Sequence, residues 1–321
     1  MTNVVFIHGL WVASTAWQPW IDRFGEHGHH AIAPAWLGEH ATPEETRRHA
    51  ADQAGNGIDE LTEYFAGILE QFDTPPVVIG HSFGGLIAQK LLGQNKAAAA
   101  VAIDPAPIKG VRPLPVAQLR SAFPVLGNPL NRGRARGLTA SQWRYGFGNA
   151  LTVEESDALW ERWSIPSPGK PLFEAAVANF SGTSPAKVDV ANGTRGPLLI
   201  TGGTADHTVP FVSAKATHGL YRKSAAVTDF HEFAGRGHSL TIDHGWRDVA
   251  DIALSWMAER GSVRGHEQTA GPPPHCQPSR LGRVARRGRD RAGSRRCDRR
   301  DRPCRRAAGR RLTHERLQQV W

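Results

Sequence analysis

Six short, mostly apolar segments constrain the fold of this chain more than any other feature of its sequence. They lie at residues 4–7, 30–33, 77–79, 99–103, 198–201 and 227–233, and most of them stop at glycine or proline. Segments of this length and composition are typical of strands covered on both faces. Between them, apolar residues recur at helical spacing in the segments 58–72, 86–92 and 249–257. The alternation predicts an α/β fold: a mostly parallel sheet of about six strands flanked by helices.

The interval 105–196 interrupts this alternation, because it contains no convincing strand and several helix-like stretches broken by proline and glycine. Its clearest helical stretches are 141–150, 153–163 and 172–180. We interpret the interval as a helical cap inserted into a core formed by residues 1–104 and 197–260. Aromatic residues are concentrated in it, and they either face a cavity or form the insertion's own core. The candidate substrate-binding residues are Trp143, Phe147, Trp160 and Trp163, with Trp11 from the first loop.

The formal net charge of +9 divides sharply near residue 260. Residues 261–321 hold 17 Arg and no Lys against 5 Asp and Glu, whereas residues 1–260 have a net charge of −3. This tail has too few apolar side chains to offset the entropy of ordering, so we predict that it is disordered. Its charge would suit nucleic acid or an anionic membrane, but it lacks interleaved aromatics and an amphipathic repeat. Translation in the wrong frame or past the proper stop is the simpler hypothesis.

Cysteine usage and hydropathy bear on the compartment. All three cysteines lie in the tail, so the first 260 residues exclude a disulfide scaffold and fit a reducing compartment. No apolar run reaches the roughly 18 residues that suggest a spanning helix, and the first residues lack a secretory signal pattern. We therefore expect a cytoplasmic protein that needs neither nucleic acid nor a membrane.

The segment Gly-His-Ser-Phe-Gly-Gly at residues 80–85 lies where a strand ends and a helix begins. Glycines at such a junction permit a tight turn that larger side chains would block, and this turn would expose Ser82 above the sheet. A serine hydroxyl is a weak nucleophile until a base removes its proton and a third group orients that base. The alternative, an ordinary glycine-rich turn with a capping serine, would need no such partners.

Two later strands end at residues of the required types. Asp206 follows the strand at 198–201, and His238 follows the strand at 227–233. The order serine, aspartate, histidine, with an insertion between the first two, predicts a catalytic triad. Asp104, at the end of the fourth strand, is the alternative acid. The weaker candidates for these roles are Asp229, Asp243 and His244.

An oxyanion hole should accompany the nucleophile, because charge developing on a substrate carbonyl oxygen needs preorganised N–H donors. One donor should be the backbone N–H of Phe83, the residue after the nucleophile. The second should come from the loop after the first strand, where we assign Leu10 and regard Trp11 as the next choice. His8 is expected to brace that loop by hydrogen bonds.

These motifs resemble those of the α/β-hydrolase superfamily of serine esterases. The segment Val-Val-Phe-Ile-His-Gly at residues 4–9, with Trp17 and Trp20 downstream, is similar to the group that contains plant methyl-ester esterases, hydroxynitrile lyases and small bacterial esterases. The resemblance covers the first 260 residues. It implies the fold, the triad of Ser82, Asp206 and His238, and a substrate of the carboxylic-ester type.

Departures from related enzymes narrow the expected chemistry. Ser82 argues against dehalogenases and epoxide hydrolases, which carry an aspartate nucleophile, and the absence of lysine between Asp206 and Phe211 favours hydrolysis over cyanohydrin cleavage. We expect a serine hydrolase that cleaves small-molecule carboxylic esters with an apolar acyl or alcohol group of modest size. Thioesterase, amidase or cofactor-free haloperoxidase activity on the same triad, and a non-catalytic ligand-binding module, are the alternatives. No metal or cofactor motif is evident.

Overall fold

The computed structural model of this protein describes residues 1–269, with side chains described through Arg260. Its centre is a six-stranded sheet with the strand order β2-β1-β3-β4-β7-β8, in which all neighbouring strands run parallel. The strands of this sheet are β1 (Asn3–Ile7), β2 (His30–Ile32), β3 (Val77–His81), β4 (Ala99–Ile103), β7 (Leu198–Gly203) and β8 (Thr228–Phe233). The two remaining strands, β5 (Ala135–Arg136) and β6 (Ser167–Pro168), form a separate antiparallel pair. The predicted α/β fold is confirmed.

Helices cover the sheet. They are α1 (Gln18–Glu26), α2 (Pro43–Arg48), α3 (Ile58–Leu69), α4 (Phe83–Gly93), α5 (Val116–Leu126), α6 (Ala140–Gly146), α7 (Val153–Trp163), α8 (Lys170–Ala176), α9 (Phe211–Leu220) and α10 (Trp246–Thr269). Threonine is the N-cap residue of α2, α6 and α7: the side chains of Thr42, Thr139 and Thr152 each accept a hydrogen bond from the backbone N–H three residues later. None of the helices in the described part of the chain is long and apolar enough to cross a membrane.

The last helix passes the boundary that the sequence suggested. The disordered tail is predicted to begin at residue 261, but α10 continues to Thr269. The rest of the predicted tail, residues 270–321, lies outside the described residues.

The core consists of two apolar clusters, one on each face of the sheet. Alternate residues of β1 illustrate this division: Val5 and Ile7 belong to one cluster, and Val4 and Phe6 belong to the other. The Phe6 ring stacks on Trp17 with ring centroids 4.8 Å apart. Fully burying one large apolar side chain contributes about 1.5–3 kcal/mol. Both faces of the strands are therefore anchored, and this fixes the edge of the sheet where the strands end.

The chain between β4 and β7 carries α5 to α8, as expected of a helical insertion. It also holds the short β5–β6 pair, which the sequence did not predict because two-residue strands show no periodicity. The insertion is tied to the loop after β1 by backbone hydrogen bonds: Ala13 N–H donates to Trp163 O (3.0 Å), and Ile165 N–H donates to Trp11 O (3.1 Å). This attachment fixes the insertion over the carboxyl end of the sheet.

Candidate active site

Ser82 occupies a tight turn between β3 and α4. Its backbone angles are φ 56° and ψ −120°, a conformation that costs a non-glycine residue on the order of 1–3 kcal/mol. The turn is compact because its neighbours lack side chains: a Cβ on Gly80 would overlap the carbonyl oxygen of Gly84, and one on Gly84 would overlap that of Ile7. The Ser82 N–H also donates to Ile103 O at 3.0 Å. The strained turn holds the Ser82 hydroxyl at the carboxyl end of the sheet.

His238 and Asp206 meet at the same edge. Asp206 lies in the loop after β7 and His238 in the loop after β8, and their atoms Oδ2 and Nδ1 are 2.6 Å apart. The other oxygen of Asp206 accepts hydrogen bonds from the N–H groups of Thr208 (2.7 Å) and Val209 (2.8 Å). Both side chains are fully buried. Parallel neighbouring strands end side by side, so residues far apart in the chain come together here.

Two rings surround the imidazole of His238. Phe147 meets it edge to face with centroids 4.8 Å apart, and His81 lies 4.5 Å from it on the same measure. Burial lowers the pKa of His238 below its ordinary value, because the imidazolium form loses its hydration. Its Nε2 atom has no hydrogen-bond partner among the described residues. Ser82 therefore makes no hydrogen bond to Nε2, as is common without substrate.

Burial acts on Asp206 in the opposite direction. It raises the pKa of this carboxyl, whereas the N–H donors of Thr208 and Val209 lower it by stabilising the charged form. The close contact with His238 Nδ1 also favours the carboxylate. We infer a carboxylate beside a neutral imidazole, which is the state that a general base requires.

The lowered pKa of His238 predicts how activity depends on pH. A base acts only while it is unprotonated, so a lowered pKa preserves activity into more acidic solution and the activity disappears as pH falls through that pKa. We expect the acidic midpoint of the kcat/KM profile for p-nitrophenyl butyrate to lie below pH ~6.5, the ordinary histidine value. A midpoint above that value would contradict the neutral, desolvated histidine.

Hydrogen bonds of His8 and Glu39 hold the loop after β1 in place. His8 Nδ1 contacts the carbonyl oxygen of Gly9 (2.8 Å), and His8 Nε2 lies 2.8 Å from the buried carboxylate of Glu39. Glu39 also accepts hydrogen bonds from the N–H (2.7 Å) and hydroxyl (2.8 Å) of Ser14. Burial by itself would raise the pKa of Glu39, but the contacts with His8 and Ser14 lower it by stabilising the carboxylate. His8 thus connects the loop after β1 to Glu39, as expected for this residue.

Two of the three candidate oxyanion donors have free N–H groups. The N–H of Trp11 donates to the hydroxyl of Ser167 at 2.6 Å, which makes Trp11 the weaker choice. Leu10 and Phe83 N–H have no hydrogen-bond partner in the described part of the chain. Gly9 lies close to Ser82, since a Cβ on Gly9 would come within 2.6 Å of Ser82 Cβ. The loop of Leu10 therefore passes directly beside Ser82.

A cavity of about 260 Å³ opens beside Ser82 and Phe83. Its walls come from the loop after β4, from α5 and from α8, and they are mainly apolar. Lining side chains that shape it are Val111, Leu119, Ala122, Leu126, Leu172 and Ala175. Sequence reasoning missed α5, although Val116, Leu119 and Phe123 follow helical spacing, because Pro124 within the helix obscured the pattern.

Of the predicted substrate-binding residues, the cavity lining includes Trp11 alone. Trp143 is fully buried and stacks on Phe147 at 4.2 Å. Trp160 donates its Nε1–H to Leu138 O at 2.9 Å, and Trp163 lies beneath the guanidinium of Arg162. These four aromatic side chains therefore lie outside the cavity lining, to which the insertion contributes residues of α5 and α8 instead.

The weaker acid and base candidates have other partners. Asp229 accepts hydrogen bonds from Trp256 (2.6 Å) and Arg260 (2.9 Å), and Asp243 pairs with Arg236. His244 contacts Glu155 at the surface. None of these three approaches Ser82. Asp104, by contrast, lies next to Asp206.

Residues 4–252 match the sequence profile of the Alpha/beta hydrolase family, and the chain belongs to that family. Its fold is similar to that of an extracellular α/β-hydrolase from a Paenibacillus species (17% identity, TM-score 0.56, 79% of this chain and 98% of that one). It is also similar to a monoacylglycerol lipase from Paleococcus ferrophilus (19%, 0.58, 80% and 94%) and to a methylesterase from Arabidopsis (12%, 0.55, 80% and 99%). At these identities the likeness shows the fold alone. A search of curated protein sequences found no match.

Proposed function

We propose that this protein is a serine hydrolase that cleaves small, apolar carboxylic esters. The observation that carries the proposal is the position of Ser82 at the floor of an apolar cavity, at the same sheet edge as the buried His238–Asp206 pair. The monoacylglycerol lipase and the methylesterase with similar folds are named as enzymes that act on esters, which supports the ester class.

The proposed reaction passes through an acyl-enzyme. Ser82 Oγ attacks the ester carbonyl carbon while Nε2 of His238 takes its proton, and Asp206 holds the imidazole by its Nδ1–H. Leu10 and Phe83 N–H groups stabilise the oxyanion that forms. His238 then returns the proton to the departing alcohol oxygen. Water, deprotonated by the same imidazole, attacks the acyl carbon; the bond to Ser82 Oγ then breaks, His238 returns the proton to Oγ, and the carboxylic acid leaves.

The cavity supports a substrate of modest size. Its volume of about 260 Å³ lies below the roughly 300–1,000 Å³ of ligand pockets in general. Short acyl chains should therefore be preferred over long ones.

The test is a panel of p-nitrophenyl acetate, butyrate and octanoate together with butyryl thioester, followed by labelling with a serine-directed phosphonate. We expect hydrolysis of the short esters and phosphonate attached at Ser82 by peptide mapping. Failure of both readouts would reject the proposal, and a thioester rate above the ester rates would reassign the substrate class.

Narrowing the cavity should shift chain-length preference. Ala122 lines the cavity from α5, so Ala122→Leu should lower kcat/KM for the octanoate by about tenfold or more and for the acetate by less than about threefold. Ala117 is on the same helix outside the lining, which makes Ala117→Leu the matched control. Equal effects of Ala122→Leu on both esters would show that the acyl chain binds elsewhere.

The compartment is part of the same proposal. The absence of cysteine from the first 260 residues supports a location in the reducing cytoplasm. The proposed enzyme acts on a small-molecule ester without a cofactor.

A further inference from the structure

Asp104 is a buried carboxyl group that the proposed triad does not use. It follows β4 with a left-handed backbone angle of φ 41°, which is unusual for a residue with a side chain. Both of its carboxyl oxygens lie 3.1 Å from the N–H of Gly203, and the hydroxyl of Thr201 donates to Oδ1 at 3.3 Å. The side chain has no exposure to solvent. A carboxyl group that is buried in a strained backbone conformation needs a partner that stabilises it.

That partner is Asp206. One carboxyl oxygen of Asp104, one of Asp206 and a ring nitrogen of His238 all lie within 4.8 Å of one another. Glycine at position 203 makes the approach possible, since a Cβ there would come within 3.0 Å of Asp104 Oδ2. A hydrogen bond between two carboxyl groups requires a proton on one of them.

No cation offsets a second negative charge at this place. The titratable groups that face the two carboxyls are His238 and, behind it, His81. Arg236, on the neighbouring loop, directs its guanidinium to Asp243. Within residues 1–260, no lysine or arginine side chain bonds to Asp104 or Asp206. Two charged carboxylates buried this close together without a lysine or arginine partner would repel strongly, and a proton on one of the two removes that repulsion.

We propose that Asp104 is a positioning residue of the proposed hydrolase site. Asp104 keeps its proton and through it donates a hydrogen bond to the Asp206 carboxylate. The pair then holds one negative charge, and the proposed Asp104 hydroxyl adds a fourth donor to the two backbone N–H groups and His238 Nδ1 that already contact Asp206. Burial and the Asp206 charge both raise the pKa of Asp104 far above that of an ordinary aspartate, which agrees with this placement of the proton. The positioning role of Asp104 in catalysis rests on the proposed function, whereas the proton on Asp104 does not.

The first test compares two substitutions at Asp104. Asn keeps the shape and can donate its N–H to Asp206, so Asp104→Asn should keep kcat/KM within about threefold and leave the acidic midpoint unchanged. Asp104→Leu removes the donor and raises the pKa of Asp206, so the acidic midpoint should move to higher pH by half a unit or more. Equal profiles for the two variants would overturn the proposal.

The second test is a double-mutant cycle with Asp206→Asn. Once Asp206 is neutral, Asp104 should give up its proton and supply the negative charge near His238. Asp104→Asn should therefore lower kcat/KM at least about 30-fold more in the Asp206→Asn background than in the wild type. Additive effects would show that Asp104 is a structural bystander and would overturn the proposal.

A third measurement does not depend on catalysis. A group whose pKa is raised by folding makes the folded state bind more protons, so its contribution to stability declines as pH rises from the unfolded value near 4. The unfolding constant of the wild type, relative to that of Asp104→Asn, should rise about tenfold per pH unit above pH 4 until the folded pKa is reached. A flat ratio would reject the buried proton. If ester hydrolysis and labelling of Ser82 failed but this slope appeared, the proposed function would be rejected, whereas the protonated carboxyl pair would be retained.

Discussion

Replacing Ser82 with alanine should lower kcat/KM for p-nitrophenyl butyrate by about 10⁴-fold or more. The change removes the atom that we propose forms the acyl-enzyme, while His238, Asp206 and the candidate oxyanion donors remain. Losing the serine of such a triad typically costs on the order of 10⁶ in rate, and the remaining groups leave a small residual rate over water. The fold should be retained, because alanine adds no atom to the strained turn.

The control is a second serine of the same cavity. Ser121 also lines it, but its hydroxyl donates to the carbonyl oxygen of His207 at 3.2 Å rather than approaching the His238–Asp206 pair. Ser121→Ala should keep kcat/KM within about threefold, and its phosphonate labelling should match that of the wild type. If Ser82→Ala kept more than about one per cent of the wild-type rate, the nucleophile would have to be sought elsewhere.

The substitution Gly84→Ala, which adds one methyl group, should strongly lower the stability of the folded protein. Gly84 is the second residue of α4 and lies against the end of β1, where a Cβ would overlap Ile7 O and lie 2.6 Å from His8 O. Neither backbone oxygen can move without displacing the loop that carries Leu10. We expect Gly84→Ala to lower the free energy of unfolding by about 3 kcal/mol and to reduce esterase activity even in the molecules that remain folded.

Gly67 supplies the matched control for this substitution. It lies on the exposed side of α3, and a Cβ there would meet nothing within 4 Å. Gly67→Ala should raise the free energy of unfolding by about 0.5–1 kcal/mol, because alanine favours the helix. Urea unfolding of the two variants measures the contrast. Similar destabilisation by both would show that the close approach at Gly84 does not limit stability.

The candidate serine, histidine and acid can be recognised from local sequence, because each directly follows a strand that is apolar enough to identify. Parallel strands end at one edge, so Ser82, Asp206 and His238 had to come close together whatever the insertion did. The glycines around Ser82 indicate the same turn, since a close turn has no room for other side chains.

The residues that line the cavity could not be predicted from local sequence patterns. Large aromatic residues indicate burial but do not say against what they pack, and Trp143 and Phe147 stack on each other beside His238 rather than lining the cavity. The lining from α5 depends on how the insertion docks, through contacts such as that of Trp11 N–H with Ser167, 156 residues along the chain. Local periodicity carries no information about such contacts.

Asp104 shows most clearly which features follow from local sequence and which depend on the tertiary structure. Its sequence position at the end of a strand allowed it to be the acid of the triad, and only its place before the insertion ranked it below Asp206. In the folded chain Asp206, not Asp104, contacts His238 Nδ1, and Asp104 lies against Asp206 and the backbone of Gly203. Periodicity and turn residues were enough to establish the parallel sheet and the residues at its edge, because both are local properties of the chain. Which carboxyl contacts the histidine and which keeps a proton emerges only on folding, because it depends on distances between strands that are about a hundred residues apart.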